Sequence, residues 1–206
     1  MKRKLIIIGG GGHARSILSI VKQNKLFGKL IGYTDLNKGS LPIKYLGKDE
    51  TILKNYKANE IALLMGIGIN LKLRQKIIKK FQKYNFLKLI DKNSIITDNF
   101  DIGEGSVIFP NATIGPNVKI GQFCVIHNSV VIEHDVSIKD NSYIGPGAVV
   151  CGNVKISKNV LLGANSTMIQ DTFIEENCIL GAGSVLIKSF KKKNKSLIGA
   201  PAKIKK

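Results

Sequence analysis

The sequence predicts two domains of different class: an α/β domain of Rossmann-like topology over residues 1–92 and a parallel β-helix over residues 93–190. The first prediction depends on strand and helix patterns that alternate along the chain. The second depends on an aliphatic residue that recurs at every sixth position from Ile96 to Leu186. Residues 191–206 leave this repeat and are expected to form a basic loop and tail.

In the first domain, apolar runs that end in glycine or aspartate alternate with segments of helical spacing. The first strand is "KLIIIGG", and the helix "HARSILSIVKQN" follows it with apolar residues at Ile17, Ile20 and Val21. The later strands are "KLIGYTD", "EIALLMGIG" and "FLKLID", and "NLKLRQKIIKKFQKY" is a helix with Asn70 as its N-cap. Strands and helices in this order predict a small parallel sheet.

The second domain is defined by its hexapeptide period. From Ile102 to Leu180, a small or β-branched residue follows each aliphatic one by four positions, as Ala112, Cys124 and Val130 do. Six residues form one flat face of a three-sided β-helix, so the repeat predicts about five coils. The aliphatic residues point into the core and the small ones fit where the chain turns, which places Cys124 and Cys178 in the core.

Composition excludes several classes of protein. The 206 residues carry a net charge of +18, but aromatic residues are few and are not interleaved with the basic ones, which disfavours nucleic-acid binding. The three cysteines show no metal-binding or disulfide spacing. No apolar run is long enough to span a membrane, and the apolar run after the N-terminal lysines is too short for a signal peptide. We therefore expect a cytoplasmic protein whose basic surface attracts phosphorylated small molecules.

Several motifs resemble those of one family. They are "IIIGGGGHA" at the start, "YTD" after the second strand, "IEHD" and "GPGA" in the repeat, and "IGAPAK" near the end. Together they resemble the sialic acid O-acetyltransferase NeuD family of sugar acyltransferases, whose members include bacterial amino-sugar N-acetyltransferases. The resemblance implies a left-handed β-helix, a homotrimer with active sites between subunits, acetyl-CoA in the groove between β-helices, and a nucleotide sugar in the N-terminal half.

The resemblance implies that His134 is the catalytic base, with Asp135 beside it supporting that role. Transfer of an acetyl group from a thioester to an amine needs removal of a proton, and a histidine accepts protons near neutral pH. The alternative reading of His134 is a surface residue at a turn of the β-helix. Glu133 has no assigned role.

The substrate-binding residues implied by the family lie in both halves of the chain. The glycine-rich segment follows a strand and opens a helix, where backbone N–H groups favour a phosphate. Asp35 closes the second strand, and Gly68, with Gly66 as an alternative, follows the third. His127 stands where relatives have asparagine, so it either contacts the acceptor sugar or lines the groove. The predicted substrate-binding residues are Gly11, Gly12, His13, Asp35, Gly68 and His127.

The cofactor-binding residues implied by the family follow the β-helix to its C-terminal end. Gly152 matches the position beside the acetyl group, and its backbone N–H is a candidate oxyanion donor. Tyr143 replaces a histidine of some relatives, and the two alanines could equally be turn residues only. The predicted acetyl-CoA-binding residues are Tyr143, Gly152, Ala164, Ala182, Pro201 and Lys203.

We therefore expect an acetyl-CoA-dependent transferase that acetylates the amine of a UDP-type amino sugar in bacterial glycan biosynthesis. Acetylation of a hydroxyl on sialic acid or another sugar is the nearest alternative, since the same base serves both. A non-catalytic trimeric nucleotide-binding scaffold is an alternative of another class. A zinc site of the carbonic anhydrase kind, which uses the same β-helix, needs three converging histidines, and His13 lies in the other half, so we expect no metal.

Overall fold

The computed structural model describes residues 3–205 and divides the chain into two compact units, Met1–Leu89 and Ile90–Lys206. The first is an α/β unit with a parallel sheet, and the second is a left-handed parallel β-helix. The predicted fold class is confirmed for both.

The first unit contains one four-stranded parallel sheet. Its strands are β1 (Lys4–Ile8), β2 (Leu30–Thr34), β3 (Ile61–Met65) and β4 (Asn85–Phe86), in the spatial order β2-β1-β3-β4. Its helices are α1 (Gly12–Gln23), α2 (Glu50–Asn55) and α3 (Leu71–Lys80), with a 3₁₀ turn at Phe27–Lys29. The central strands β1 and β3 are apolar and almost wholly buried, as expected for a sheet with helices packed against it.

The helices begin where the sequence signals placed them, with one exception. Asn70 caps α3, because its side-chain oxygen accepts the N–H of Leu73 at 3.0 Å, which confirms the predicted N-cap. Helix α2 was not predicted, because its six residues are too few to show a helical period. The run "FLKLID" was predicted as one strand, but it divides: Phe86 ends β4, and Leu89–Ile90 is the first strand of the β-helix.

Each strand of the β-helix proper is two residues long, and strands eighteen positions apart pair in parallel. In chain order they are β5 (Leu89–Ile90), β6 (Ile95–Ile96), β7 (Asp101–Ile102), β8 (Val107–Ile108), β9 (Thr113–Ile114), β10 (Lys119–Ile120), β11 (Val125–Ile126), β12 (Val131–Ile132), β13 (Ser137–Ile138), β14 (Tyr143–Ile144), β15 (Val149–Val150), β16 (Lys155–Ile156), β17 (Leu161–Leu162), β18 (Thr167–Met168), β19 (Phe173–Ile174), β20 (Ile179–Leu180) and β21 (Val185–Leu186). The tail adds β22 (Ser196–Ile198), parallel to β20, and β23 (Lys203–Ile204), antiparallel to β22.

These strands form three faces. The first face contains β11 and its stacked equivalents, the second contains β12, and the third contains β13. The second face has six strands, from β6 to β21, so the β-helix has about six turns where the sequence predicted about five. The sixteen aliphatic positions from Ile96 to Leu186 make up five coils and part of a sixth, and the strand at Leu89–Ile90, which precedes them, was not counted.

The core follows the repeat. The aliphatic residues and the small residues four positions later form one buried cluster, which includes both Cys124 and Cys178 as predicted. The turns between faces contain residues with left-handed backbone conformation, and most of these are asparagine or aspartate, which tolerate it best. Within residues 3–205, the structure contains no helix that is long and apolar enough to cross a membrane.

Candidate active site

The β-helix places the predicted active-site residues at its corners. The corner between the first and second faces, here called corner A, is formed by residues 127–130 in the coil that contains β11 and β12. The corner between the second and third faces, called corner B, is formed by residues 133–136 of the same coil. Because one coil is eighteen residues, residues eighteen apart lie one above the other at the same corner.

His134 and Asp135 form a hydrogen-bonded pair at corner B. The His134 Nδ1 atom lies 2.8 Å from Asp135 Oδ2, and the two side chains are 59% and 52% exposed. The second carboxylate oxygen, Oδ1, accepts the side-chain N–H of Asn117 from the coil before, at 3.1 Å. The hydrogen bond from His134, and then the one from Asn117, lowers the pKa of Asp135 below its usual value. Asp135 is therefore a carboxylate at neutral pH, and it accepts a hydrogen bond from the protonated Nδ1 of His134.

This pairing leaves the opposite nitrogen of the His134 ring, Nε2, as the proton acceptor. Gly152 lies directly against that side of the ring, one coil further on. A Cβ atom on Gly152 would stand 2.6 Å from both Nε2 and Cε1 of His134, closer than any such contact in real proteins. Only glycine at this position leaves room for the ring where it is.

The backbone N–H of Gly152 donates no hydrogen bond to any group in the part of the chain that the structure describes. Its C=O, by contrast, accepts the N–H of Asp171 in the next coil. A backbone N–H without an acceptor, beside a base nitrogen, can bind the oxygen of a carbonyl whose carbon is attacked by a nucleophile that gives its proton to Nε2. The arrangement at corner B therefore has the parts for general-base catalysis at an acyl carbon.

Corner A contains a different group built around His127. Its ring is stacked on Phe109 from the preceding coil, with centroids 4.6 Å apart and planes 9° apart, and Tyr143 approaches it at 5.9 Å. The N–H of Asn128 donates to His127 Nδ1 at 3.0 Å. Burial lowers the pKa of His127 below its usual value, so the ring is neutral at pH 7 and carries its proton on Nε2.

The other predicted cofactor-binding residues follow corner A rather than corner B. Ala164 and Ala182 lie two and three coils after Asn128 at that corner. Pro201 and Lys203 belong to the tail, whose strands β22 and β23 extend the first face beside the last coil. Both tail residues are exposed.

The structure thus divides the predicted β-helix residues into two sets. His134, Asp135 and Gly152 are together at corner B. At corner A and along the first face are His127, Tyr143, Ala164, Ala182, Pro201 and Lys203. A full face of the β-helix separates the two sets within one chain.

The predicted residues of the α/β unit lie at the carboxyl edge of its sheet. Gly11 and Gly12 follow β1, Asp35 follows β2 and Gly68 follows β3. A Cβ on Gly11 would meet nothing within 4 Å, and one on Gly12 would meet only the end of the Arg15 side chain at 3.9 Å. Among residues 3–205, no contact requires glycine at these two positions, and their backbone is accessible to a ligand at close range.

Gly66 and Gly68 differ in a way that separates the two alternatives for the third strand. Gly66 packs against β1, because a Cβ there would be 2.6 Å from the C=O oxygen of Ile8. Gly68 lies against the ring of His13, where a Cβ would be 3.0 Å from Cγ. The structure therefore brings Gly68 together with His13 and gives Gly66 a packing role.

Asp35 organises the loop that carries the glycines. Its Oδ2 accepts the N–H of Gly10 at 2.6 Å, and its Oδ1 accepts the N–H of Leu36 at 2.6 Å. The loop after Leu36 is held by a further pair of hydrogen bonds, since the Tyr33 hydroxyl both donates to the C=O of Gly39 and accepts its N–H. Asp35 therefore connects the ends of β1 and β2.

Three neighbouring residues were not predicted from the sequence. Arg15, in the first turn of α1, donates to the Ser40 hydroxyl at 2.8 Å and places a cation beside Gly12. Asn117 and Phe109 stand eighteen positions before Asp135 and His127. The eighteen-residue coil was the signal that could have found the last two, but no sequence signal connects Arg15 with Ser40.

Replacement of Asp35 by alanine tests the organising role. The buried N–H of Gly10 loses its acceptor, which costs about 1–3 kcal/mol, and the loss of the second hydrogen bond, from the exposed Leu36 N–H, further loosens the glycine loop. If the sugar nucleotide and acetyl-CoA implied by the resemblance are the substrates, KM for the former should rise about tenfold and KM for the latter stay unchanged, as measured by steady-state kinetics. Asp101→Ala, at an exposed aspartate of the β-helix, is the matched control. An unchanged KM for the sugar would remove Asp35 from the binding site.

Among residues 3–205, no group of three or more histidine, cysteine, aspartate or glutamate side chains could hold a metal ion. The histidines His127 and His134 stand at different corners, and each has its Nδ1 engaged by a neighbouring residue.

Family models match both units. The PglD N-terminal domain matches residues 4–81. In the β-helix, the GMPPB C-terminal domain matches residues 90–145, the bacterial transferase hexapeptide (six repeats) matches residues 135–170, and the hexapeptide repeat of succinyl-transferase matches residues 153–188. A comparison with curated proteins found no match.

Solved structures match along nearly the whole chain. PerB from Caulobacter crescentus, in complex with CoA and GDP-perosamine, is 25% identical with a TM-score of 0.88, covering 98% of this chain and 97% of that one. WeeI from Acinetobacter baumannii is 25% identical with a TM-score of 0.86, covering 98% and 99%. The acetyltransferase domain of PglB from Neisseria gonorrhoeae, in complex with acetyl coenzyme A, is 22% identical with a TM-score of 0.91, covering 99% and 100%, and supports the fold alone.

Proposed function

We propose that this chain, whose two units match the PglD N-terminal domain and hexapeptide-repeat transferase models, moves an acetyl group from acetyl-CoA to the amine of a nucleotide-linked amino sugar. The observation that carries the proposal is the His134–Asp135 pair, with Nε2 of the histidine facing Gly152. The PerB structure, which holds CoA and GDP-perosamine, supports both substrates.

The reaction needs one proton transfer in each direction. The sugar amine attacks the thioester carbonyl carbon, and a C–N bond forms as His134 Nε2 takes a proton from the nitrogen. The Asp135 carboxylate, hydrogen-bonded to Nδ1, stabilises the imidazolium that results. The tetrahedral intermediate then collapses, the C–S bond breaks, and the imidazolium returns its proton to the CoA thiolate.

The charge that develops on the carbonyl oxygen needs a hydrogen-bond donor. We assign this role to the Gly152 N–H, which has no other acceptor in residues 3–205 and adjoins the base nitrogen. A single donor of this kind contributes roughly 10²–10³ in kcat. No covalent acyl-enzyme is required, because amine and thioester meet in one ternary complex.

We further propose a homotrimer whose active sites lie between subunits. The proposal is supported by the separation of the predicted residues. His134, Asp135 and Gly152 at corner B lie a full face away from the residues along corner A in one chain. Two neighbouring β-helices that pack corner A against corner B bring one copy of each set together. His127 of one subunit then presents its Nε2–H toward the substrates activated by His134 of the next.

The nucleotide is assigned to the carboxyl edge of the α/β sheet. The backbone of Gly11 and Gly12 is accessible to a ligand there, and the N-terminus of α1 favours a phosphate. We assign the diphosphate to this loop and the reaction to the cytoplasm, where acetyl-CoA and nucleotide sugars are made. The sequence favoured a UDP sugar, whereas PerB holds a GDP sugar.

A panel of acceptors tests the proposal. Purified protein is incubated with acetyl-CoA and, in turn, UDP- and GDP-linked amino sugars, their deaminated hydroxyl analogues, and free sialic acid. We expect release of CoA thiol and an acetamido product, identified by mass spectrometry and NMR, with the amino sugars only. Acetylation of sialic acid or of the hydroxyl analogue alone would replace the N-acetyl proposal by the O-acetyl alternative. Absence of turnover with every acceptor would favour the scaffold.

A further inference from the structure

The positive charge of the chain is concentrated in the first unit. Met1–Leu89 contains nineteen lysines and arginines against four acidic residues, a net charge of +15, whereas Ile90–Lys206 contains thirteen against ten, a net charge of +3. A general bias toward lysine would charge both units alike. The excess positive charge is therefore a property of the α/β unit. Binding of a nucleotide sugar accounts for little of it, since a nucleotide sugar carries only two phosphates.

The four acidic residues of this unit offset only a small part of its positive charge, and each makes contacts within the unit. Asp35 accepts two backbone N–H groups, and Glu60 accepts the N–H of Lys57 at 2.9 Å. Glu50 and Asp49 both face Lys80, at 2.7 and 3.9 Å. These contacts also hold α3 beside α2, because Lys80 belongs to α3 and Glu50 begins α2.

Helix α3 presents an unneutralised row of lysines. Lys72, Lys76 and Lys79 are exposed and are spaced by four and three residues, which places them along one side of the helix. Within residues 3–205 none of the ion pairs involves these three lysines. The buried side of the same helix holds Arg74 and Ile77. We call this row, together with Ile69 and Leu73, the basic face.

Aliphatic side chains accompany the lysines on the basic face. Ile69 is 62% exposed just before the helix, and Leu73, one turn later, is 40% exposed. Leu53, on the neighbouring helix α2, is also exposed. Lysines beside exposed aliphatic residues are the composition of helices that lie on an anionic lipid surface, where the cations meet headgroups and the aliphatic chains meet the acyl boundary.

Other partners fit the basic face less well. A nucleic acid is bound through arginine forks and aromatic stacking, but the only arginine of α3, Arg74, is buried, and the face has no aromatic residue. A second copy of the chain would bring two rows of like charge together. Of the partners considered, an anionic lipid surface therefore fits the charge and the aliphatic residues of the basic face best.

We propose that the α/β unit docks on anionic membranes through the basic face of α3, as a peripheral contact with no segment that spans the bilayer. Three lysines near an anionic surface each contribute about 1 kcal/mol, so together they strengthen binding on the order of a hundredfold. The contact is electrostatic, so it weakens steeply with salt. None of the three lysines, Lys72, Lys76 and Lys79, is among the residues assigned to acetyl transfer or to nucleotide-sugar binding.

Co-sedimentation of the full chain with vesicles tests the proposal. The vesicles contain phosphatidylcholine alone or phosphatidylcholine mixed with phosphatidylglycerol. We expect binding to the mixed vesicles only, and its loss at an ionic strength of about 1 M, where the Debye length is about 3 Å. The triple variant Lys72→Gln, Lys76→Gln, Lys79→Gln should bind on the order of a hundredfold more weakly. Its acetyl-transfer rate in solution should be unchanged, which reports that it is folded.

The matched control removes the same charge from the β-helix. Lys119→Gln, Lys139→Gln, Lys155→Gln also replaces three exposed lysines, and we expect it to bind like the unaltered chain. If both variants lost vesicle binding equally, net charge alone would explain the binding, and the proposal of a specific basic face would be contradicted. Failure to bind the mixed vesicles, or equal binding to neutral ones, would also overturn the proposal. So would binding to a homopolymeric RNA but not to vesicles, which would make the basic face a nucleic-acid surface.

Discussion

His134→Ala is expected to lower kcat for acetyl transfer by about 10²–10⁴, the usual contribution of a general base. The loss should fall on kcat rather than on either KM, because the imidazole acts when the proton leaves the amine. The side chain is 59% exposed and its hydrogen bond is to an exposed neighbour, so its removal should leave the fold intact. Steady-state release of CoA thiol gives the kinetic values.

Two further measurements isolate the chemical role of the imidazole. Size-exclusion chromatography should give the same assembly for the variant as for the unaltered chain. Lys139→Ala, at an exposed lysine of the same coil, is the matched control and should keep full activity. Added imidazole should restore part of the rate, since the space beside Gly152 is then vacant. A kcat within a few-fold of the unaltered value would exclude His134 as the base.

The β-helix could be predicted from sequence because its period is a direct consequence of its geometry. Each coil buries one aliphatic residue per face, so Ile126, Ile132 and Ile138 recur at the hexapeptide spacing that is typical of a parallel β-helix. His134 and Gly152 are eighteen positions apart, which is one coil, so the period also predicts that they contact each other. The same arithmetic separates His127 from His134, because seven residues move the chain to the next corner.

The α/β unit was predicted less completely, because its contacts depend on tertiary packing rather than on a period. Arg15 meets Ser40 across 25 residues, and nothing in the local sequence of either residue indicates the other. The run Phe86–Asp91 has four apolar residues and only Lys88 between them, so its pattern could not show that one strand ends and the next begins in a different sheet. Hydrogen bonding of Asp35 to Gly10 is a similar case, since only the fold brings β1 beside β2.

The predicted site residues illustrate the same division. The chemical identity of the pair His134 and Asp135 was readable from the triplet "EHD", and the hydrogen bond between them needed only adjacent positions. The second partner of the carboxylate, Asn117, needed the coil register. The division of the residues between two corners became visible only when each was placed on a face, and that division is what supports a site shared by two subunits.

Gly152→Ala should lower kcat by about 10²-fold, although it adds a single methyl group and keeps the Gly152 N–H that we assign to the carbonyl oxygen. The added Cβ would stand 2.6 Å from Nε2 and Cε1 of His134, so the ring must move by roughly 1 Å to reach ordinary contact distance. A displacement of that size at a catalytic group costs about 10² in rate. Steady-state kinetics measures the change, and thermal unfolding should show little loss of stability.

The backbone at this position does not itself require glycine. Ala164 and Ala182 occupy the equivalent place at the other corner, and Gly152 is not among the glycines with left-handed φ. The effect of a methyl group should therefore pass through His134 alone. The double variant Gly152→Ala, His134→Ala is the decisive comparison: if Gly152 acts by holding the ring in place, it should be no slower than His134→Ala. A further loss in the double variant would mean that the methyl group obstructs the acetyl group or the oxyanion contact directly, and an unchanged kcat in the single variant would contradict the position of the imidazole at the reacting centre.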